Sequence, residues 1–170
     1  MKPIKLILSF CLLVHTHLSV AQTCNAKIIA DAPNSRYDMR ANGTVVDRKT
    51  GLTWMRCALG QTWKNAACTG GVSAYTWQGA LQAADSTIFA GLNDWRLPNL
   101  KELYSLVENR CYSPAINLTA FPDATDDWFW SSSPYADFSY NAWIISFYFG
   151  YDNDDSKNSS FAVRLVRGGR

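Results

Sequence analysis

Beyond residue 17 this chain has no histidine, and glutamate occurs only at Glu102 and Glu108. Without imidazole there is no Ser-His triad, no His-ligated zinc and no ordinary near-neutral general base. No cysteine follows Cys111 and no Cys-x-x-Cys pair occurs, which removes the usual thiolate zinc site. No apolar run is long enough to span a bilayer comfortably, the longest being Leu6 to Val14 near the start. Nor is there an excess of charge of one sign: 16 Lys+Arg stand against 14 Asp+Glu.

What precedes residue 22 is a leader. Lys2 and Lys5, the run from Leu6 to Val14 and the small residues Ser19 and Ala21 make a secretory signal peptide over 1–21, with cleavage after Ala21. Cleavage removes His15, His17, Cys11 and two lysines, leaving 16 − 2 = 14 cations against 14 anions. A balanced charge attracts neither nucleic acid nor an anionic membrane. Four cysteines remain in an exported chain, so two disulfides are expected. Three pairings are possible. Cys57 and Cys68 suit a local clamp, which leaves Cys24 with Cys111. Residues 22–170 form one domain of ordinary size.

The scaffold is legible in pieces. Tyr37 to Asp47 reads as a hairpin turning at Asn42-Gly43 through a type I′ turn. Leu52 to Cys57 reads as a strand. Trp77, Ala80, Leu81 and Ala84 predict a helix over Thr76 to Ala84. A second helix starts at Asn99, with Glu102 completing a capping box and Leu100, Leu103, Leu106 and Val107 as its apolar stripe. Two short helices among antiparallel strands and long loops define an α+β fold. Trp95 and Trp130 are expected to be buried with their indole N–H groups bonded.

The tail is different. From Tyr135 to Phe161 the chain is crowded with Tyr, Phe, Asp, Asn and Ser, the composition of a binding surface. Reading Ala142 to Gly150 as a strand puts Trp143, Ile145, Phe147 and Phe149 on one face, and Ile144, Ser146 and Tyr148 on the other. With Trp143 and Phe147 inward, Ile144, Ser146 and Tyr148 face outward beside Tyr140 and Tyr151. The competing reading is a strand buried on both faces, and Phe149 fits neither. Val163 to Arg167 closes the chain as a plain strand.

Gly51-Leu52-Thr53-Trp54-Met55, Asp94-Trp95-Arg96-Leu97-Pro98-Asn99, Trp130-Ser131-Ser132-Ser133 and Val163-Arg164-Leu165-Val166-Arg167, in that order, resemble the Lcl adhesin C-terminal domain family over about residues 37–170. The resemblance implies a C-type lectin-like fold, related to that of formylglycine-generating enzymes, and an adhesin's role. Such enzymes use C-terminal cysteines, which this chain lacks. Calcium-dependent lectins use Glu-Pro-Asn or Gln-Pro-Asp, and neither occurs here. The tail also resembles variable proteins of diversity-generating retroelements. Between Tyr135 and Phe161 only Trp143 and Lys157 are residues that adenine-directed rewriting of Asn codons cannot reach.

The expected ligand-binding set is Tyr135, Asp137, Phe138, Tyr140, Ile144, Ser146, Tyr148, Tyr151, Asp152 and Asn153, converging on one exposed surface that takes a protein or glycan. No catalytic residue, metal or cofactor is expected. Asp152 to Asp155 offers oxygens but lacks the glycine and closing glutamate of a calcium loop, and reads as a solvated acidic turn. An alternative puts sulfated glycan on Arg164, Arg167 and Arg170, although Arg164 between aliphatic neighbours fits an internal ion pair equally well. A third reading, a divergent enzyme, would need a cleft of perturbed carboxylates. No nucleic-acid partner and no membrane insertion after cleavage are expected, and the exported protein would be periplasmic, secreted or on the cell surface.

Overall fold

A computed structural model describes residues 21–169. The expected signal peptide, apart from Ala21, lies outside them, as does Arg170. Eleven strands and two helices follow one another among these residues. A four-stranded antiparallel sheet contains β2 (Tyr37–Met39), β3 (Thr44–Asp47), β4 (Thr53–Met55) and β11 (Val166–Arg167), in the order β11-β4-β3-β2. A three-stranded antiparallel sheet contains β8 (Trp128–Pro134), β9 (Asn141–Ser146) and β10 (Tyr151–Ser156), with β9 in the middle. Two small ribbons pair β1 (Thr23–Cys24) with β7 (Cys111–Tyr112), and β5 (Thr62–Lys64) with β6 (Ala67–Thr69). The helices are α1 (Trp77–Ser86) and α2 (Leu100–Tyr104). Antiparallel strands with two short helices make the protein α+β, an architecture that fits the C-type lectin-like description.

Local chemistry explains the elements. Thr76 caps α1 by accepting from the Gly79 N–H. Asn99 and Glu102 form the full capping box of α2, each side chain accepting from the other's backbone N–H. Burial pushes the Glu102 carboxyl up, but bonds from Arg96 and the Asn99 N–H outweigh it and hold it below its ordinary value. The helix is shorter than its apolar stripe: it stops at Tyr104, and Leu106 and Val107 are buried in the turn beyond. The β2–β3 turn also departs from expectation. Only Gly43 has positive φ, at 84°, and its N–H bonds the Arg40 carbonyl, so a turn over Arg40–Gly43 ends in a left-handed glycine instead of a type I′ pair. Asn42 uses its side-chain oxygen to accept from the Thr44 N–H and hydroxyl instead.

Two buried clusters sandwich the three-stranded sheet. Phe129, Ile145 and Phe147 pack with Val45, Trp54, Leu103 and Leu106 on one side. Trp130, Ala142 and Ile144 pack with Ala80, Ala84, Trp95 and Leu97 on the other. Trp95 and Trp130 are buried, and their indole N–H groups donate to the carbonyls of Phe89 and Tyr75. Disulfides join Cys24 to Cys111 and Cys57 to Cys68.

The closing segment threads between the sheets. Ala162 exchanges backbone bonds with Trp128 and Trp130, while the carbonyls of Val163 and Leu165 accept from Leu59 and Met55. Val166 pairs with both Trp54 and Arg96. Arg164 is therefore enclosed, only 1% exposed. It has no ion pair. Its guanidinium donates to the carbonyls of Met55 and Arg56 and lies 4.9 Å from the Phe121 ring and 5.6 Å from that of Phe129. Burial pulls its pKa down to about 9, and the carbonyls and ring faces are what hold the cation.

Candidate functional site

The ten expected binding residues do not share one surface. Ile144 and Ser146 are each 2% exposed. β9 is the central strand, and both of its faces are covered, so the alternation that was to turn both outward delivers Ile144 into the second core and buries Ser146 between its cross-strand partners Trp128 and Tyr151. Ser146 stays satisfied by accepting from the Tyr148 N–H. β9 also ends at Ser146, and Phe147 to Gly150 is a turn. Gly150 takes φ of 79°, and a Cβ there would lie 2.5 Å from the Val107 side chain, so the turn admits only glycine. Phe149 belongs to this turn, which is why it fitted neither strand face.

The remaining eight divide into three groups. Tyr148 sits on the β9–β10 turn, its ring 4.4 Å from Phe149, which in turn neighbours Tyr112. Tyr151 and Asn153 lie on the α1-side face of β10, with Tyr151 edge-on to Trp128 at 5.3 Å. Tyr135, Asp137, Phe138 and Tyr140 belong to the β8–β9 hairpin at the opposite end, a six-residue strand or about 17 Å from Tyr148. Asp152 is on the same face as this last group by register, since Asp152 and Asp154 lie opposite Ile145 and Trp143.

That last face is the candidate site. Tyr140, Phe138, Tyr135 and Trp143 form a continuous ladder of rings, with successive centroids 5.6, 5.9 and 4.9 Å apart. Tyr140 is 62% exposed and Phe138 49%, while Trp143 anchors the ladder half-buried against the sheet. A hydrogen bond to Asp137 raises the pKa of the Tyr135 hydroxyl. Asn141 donates to Asp154 at 2.6 Å. Lys157 fastens the loop by donating to the Ser139 carbonyl, with its ammonium 4.7 Å over the Trp77 ring. Continuing along the same face, Asp152 joins Leu100, Lys101, Tyr104 and Ser105 of the α2 region in lining an open cleft of about 430 Å³. Trp143, Asp154, Leu100, Lys101 and Tyr104 were not in the expected set. The signal that could have found Trp143 and Asp154 is the alternation through Asp152 and Asp154, once β10 is recognised as a strand.

β10 overturns the acidic-turn reading. Asp152 and Asp154 point to one face and Asn153 and Asp155 to the other, so the acidic run is split by the pleat. No group of three or more His, Cys, Asp or Glu placed to hold a metal ion occurs among the described residues. The basic alternative also loses residues: Arg164 is buried, and Arg167 is held by Asp94 at 2.7 Å. Glu108 lies beyond the end of α2, where its carboxylate accepts from the Asp31 and Ala32 N–H groups.

Sequence comparison gives the family. The Lcl C-terminal domain matches residues 43–167, and the chain belongs to that family. No curated protein matches significantly. Family membership and two disulfides together describe an adhesin-like module of the kind found at or beyond the cell surface.

Proposed function

We propose that this protein is an exported, non-catalytic binding module that engages a protein or glycan through the Tyr135–Phe138–Tyr140–Trp143 face of the β8–β9 hairpin. The observation that carries the reading is the exposure of Phe138 and Tyr140 in an unbroken ladder of rings. Single apolar groups in water are ordinary, whereas contiguous ones mark contact surfaces. Aromatic rings rimmed by Asp137, Ser139 and Asn141 combine large contact area with adaptable hydrogen bonds. Against catalysis stands the engagement of the buried and half-buried carboxylates: Asp47 with Arg36, Glu102 with Arg96, and Glu108 with backbone amides.

Glycan and surface-protein arrays probed with the disulfide-bonded protein test this. A ligand retained by the parent and lost on Phe138→Ala with Tyr140→Ala supports the reading, while undiminished binding by that variant refutes it. Retroelement diversification is a separate part of the proposal, supported by the tail's composition. It predicts a near-copy of the tail's coding sequence, differing at adenines, beside a reverse transcriptase, and a genome without that pair rules it out.

A further inference from the structure

We propose that the outer edge of β10 is a docking site for an extended, basic segment of a partner polypeptide, which adds to the sheet as a fourth strand. The proposal rests on the domain being a binding module and names one class of partner for it. β10 is the last strand of its sheet and pairs with β9 alone. The direction of its free groups follows from the register. Phe147 donates its N–H to the Asp127 carbonyl, on the β8 side, so by alternation Ile145 and Trp143 also turn their backbone groups toward β8. Ala142, Ile144 and Ser146 therefore bond to β10, through their partners Asp155, Asn153 and Tyr151. The backbone groups of Asp152, Asp154 and Ser156 point away from the sheet.

Ser156 closes one end of this edge. Its N–H donates to the Asp155 carboxylate at 2.6 Å, and its carbonyl accepts from the Ser159 N–H at 2.8 Å. What stays open, with no partner among the described residues, is the N–H and C=O of Asp152 and of Asp154. Two residues spaced by one, each offering a donor and an acceptor outward, are what an antiparallel partner strand requires.

Charge selects the occupant. The antiparallel register in which two copies use both residues would set Asp152 of each opposite Asp154 of the other, and like charges directly opposite destabilise a pair. Self-pairing is thus disfavoured by the same carboxylates that would attract Lys or Arg at alternate positions of a foreign strand. Side chains opposite Asp152 and Asp154 fall on the cleft face, where Leu100 and the 39%-exposed Tyr104 offer apolar surface to a long alkyl stem. Lys101 lines the same cleft, so the attraction is centred toward Asp154, away from it.

The test uses three end-capped heptapeptides: Thr-Lys-Thr-Lys-Thr-Lys-Thr, the same sequence N-methylated at its lysines, and the version with Glu in place of Lys. Affinity and site-resolved amide exchange are measured on the disulfide-bonded protein. The lysine peptide should bind and slow exchange at Asp152 and Asp154. Backbone N-methylation keeps every charge but removes the lysine N–H donors to the Asp152 and Asp154 carbonyls, and should weaken binding about tenfold or more. The Glu peptide should not bind. Equal affinity for the methylated peptide, or no binding of the lysine peptide, would overturn the proposal. The Phe138→Ala, Tyr140→Ala protein is run in parallel. Edge binding should persist there, so failure of the aromatic reading and failure of strand addition give different results.

Discussion

Two stretches of the C-terminal region touch the same three-stranded sheet and end in opposite states. Ala162 to Val166 is buried throughout, including a charged arginine, whereas Asp137 to Tyr140 is exposed throughout, including a phenylalanine. Hydrophobicity does not separate them. The number of neighbours does: the closing segment has backbone partners in both sheets, and the hairpin loop leans on Trp143 and Lys157 at its own base. One stretch is frame, over-determined by its surroundings. The other is display.

The sharpest way to break that division is at Arg164. Arg164→Ala should cost about 3–5 kcal/mol, because it opens a cavity under Phe121 and Phe129 and orphans two buried carbonyls. Arg164→Met, which keeps most of the volume, should cost distinctly less. Urea unfolding measures both, and a loss below about 1 kcal/mol for the alanine would mean the segment is not frame at all.

Next in size is the Cys57–Cys68 bridge, which spans 11 residues. Cys57→Ser with Cys68→Ser should cost about 3 kcal/mol on the chain-entropy account of a short loop. Non-reducing peptide mapping checks the pairing, and the thermal midpoint of the double variant checks the magnitude. An unchanged midpoint would show the bridge to be dispensable to the frame.

A smaller effect belongs to the helix cap. Asn99→Ala removes one partner of the capping box and should cost about 1 kcal/mol while leaving ligand binding unchanged, since Asn99 lies outside the ring ladder. Denaturation together with an array readout distinguishes frame from display here. If binding fell with stability intact, the α2 end of the cleft would have to be counted as part of the display face.

How much of this was legible depended on whether the signal is local. The capping box at Asn99 and Glu102, the burial of Trp95 and Trp130, and the Cys57–Cys68 clamp follow from short-range spacing or from side-chain chemistry, and Cys24–Cys111, 87 residues apart, was what the clamp left over. Ile144 and Ser146 did not, because their exposure depends on β9 lying between β8 and β10 with a core on each face, a fact of topology that alternation cannot encode. The acidic run misled for a related reason. Asp152 to Asp155 has the composition of a solvated turn, but carboxylates are also what keeps an edge strand from pairing indiscriminately, and here they lie on such an edge. For Arg164 the sequence left a glycan contact and an internal ion pair both open, and its actual partners, two carbonyls and two ring faces, carry no charge for a sequence pattern to reveal.

The smallest expected change in stability is the one that matters most for function. Phe138→Ala with Tyr140→Ala should alter the unfolding free energy by no more than about 0.5 kcal/mol, since both rings already face water. Yet it should abolish recognition, because the ladder loses its two outer contacts and keeps only Tyr135 and Trp143. Tyr148→Ala and Tyr151→Ala, made separately, give the comparison its control: one lies on the far turn and the other on the opposite face of the sheet, so neither should change binding. Thermal melts and titration against any array-identified ligand read out all three variants. Should Tyr148→Ala or Tyr151→Ala weaken binding as much as the Phe138, Tyr140 pair, the display surface would extend around the sheet. Should the pair itself unfold the protein, those rings would belong to the frame.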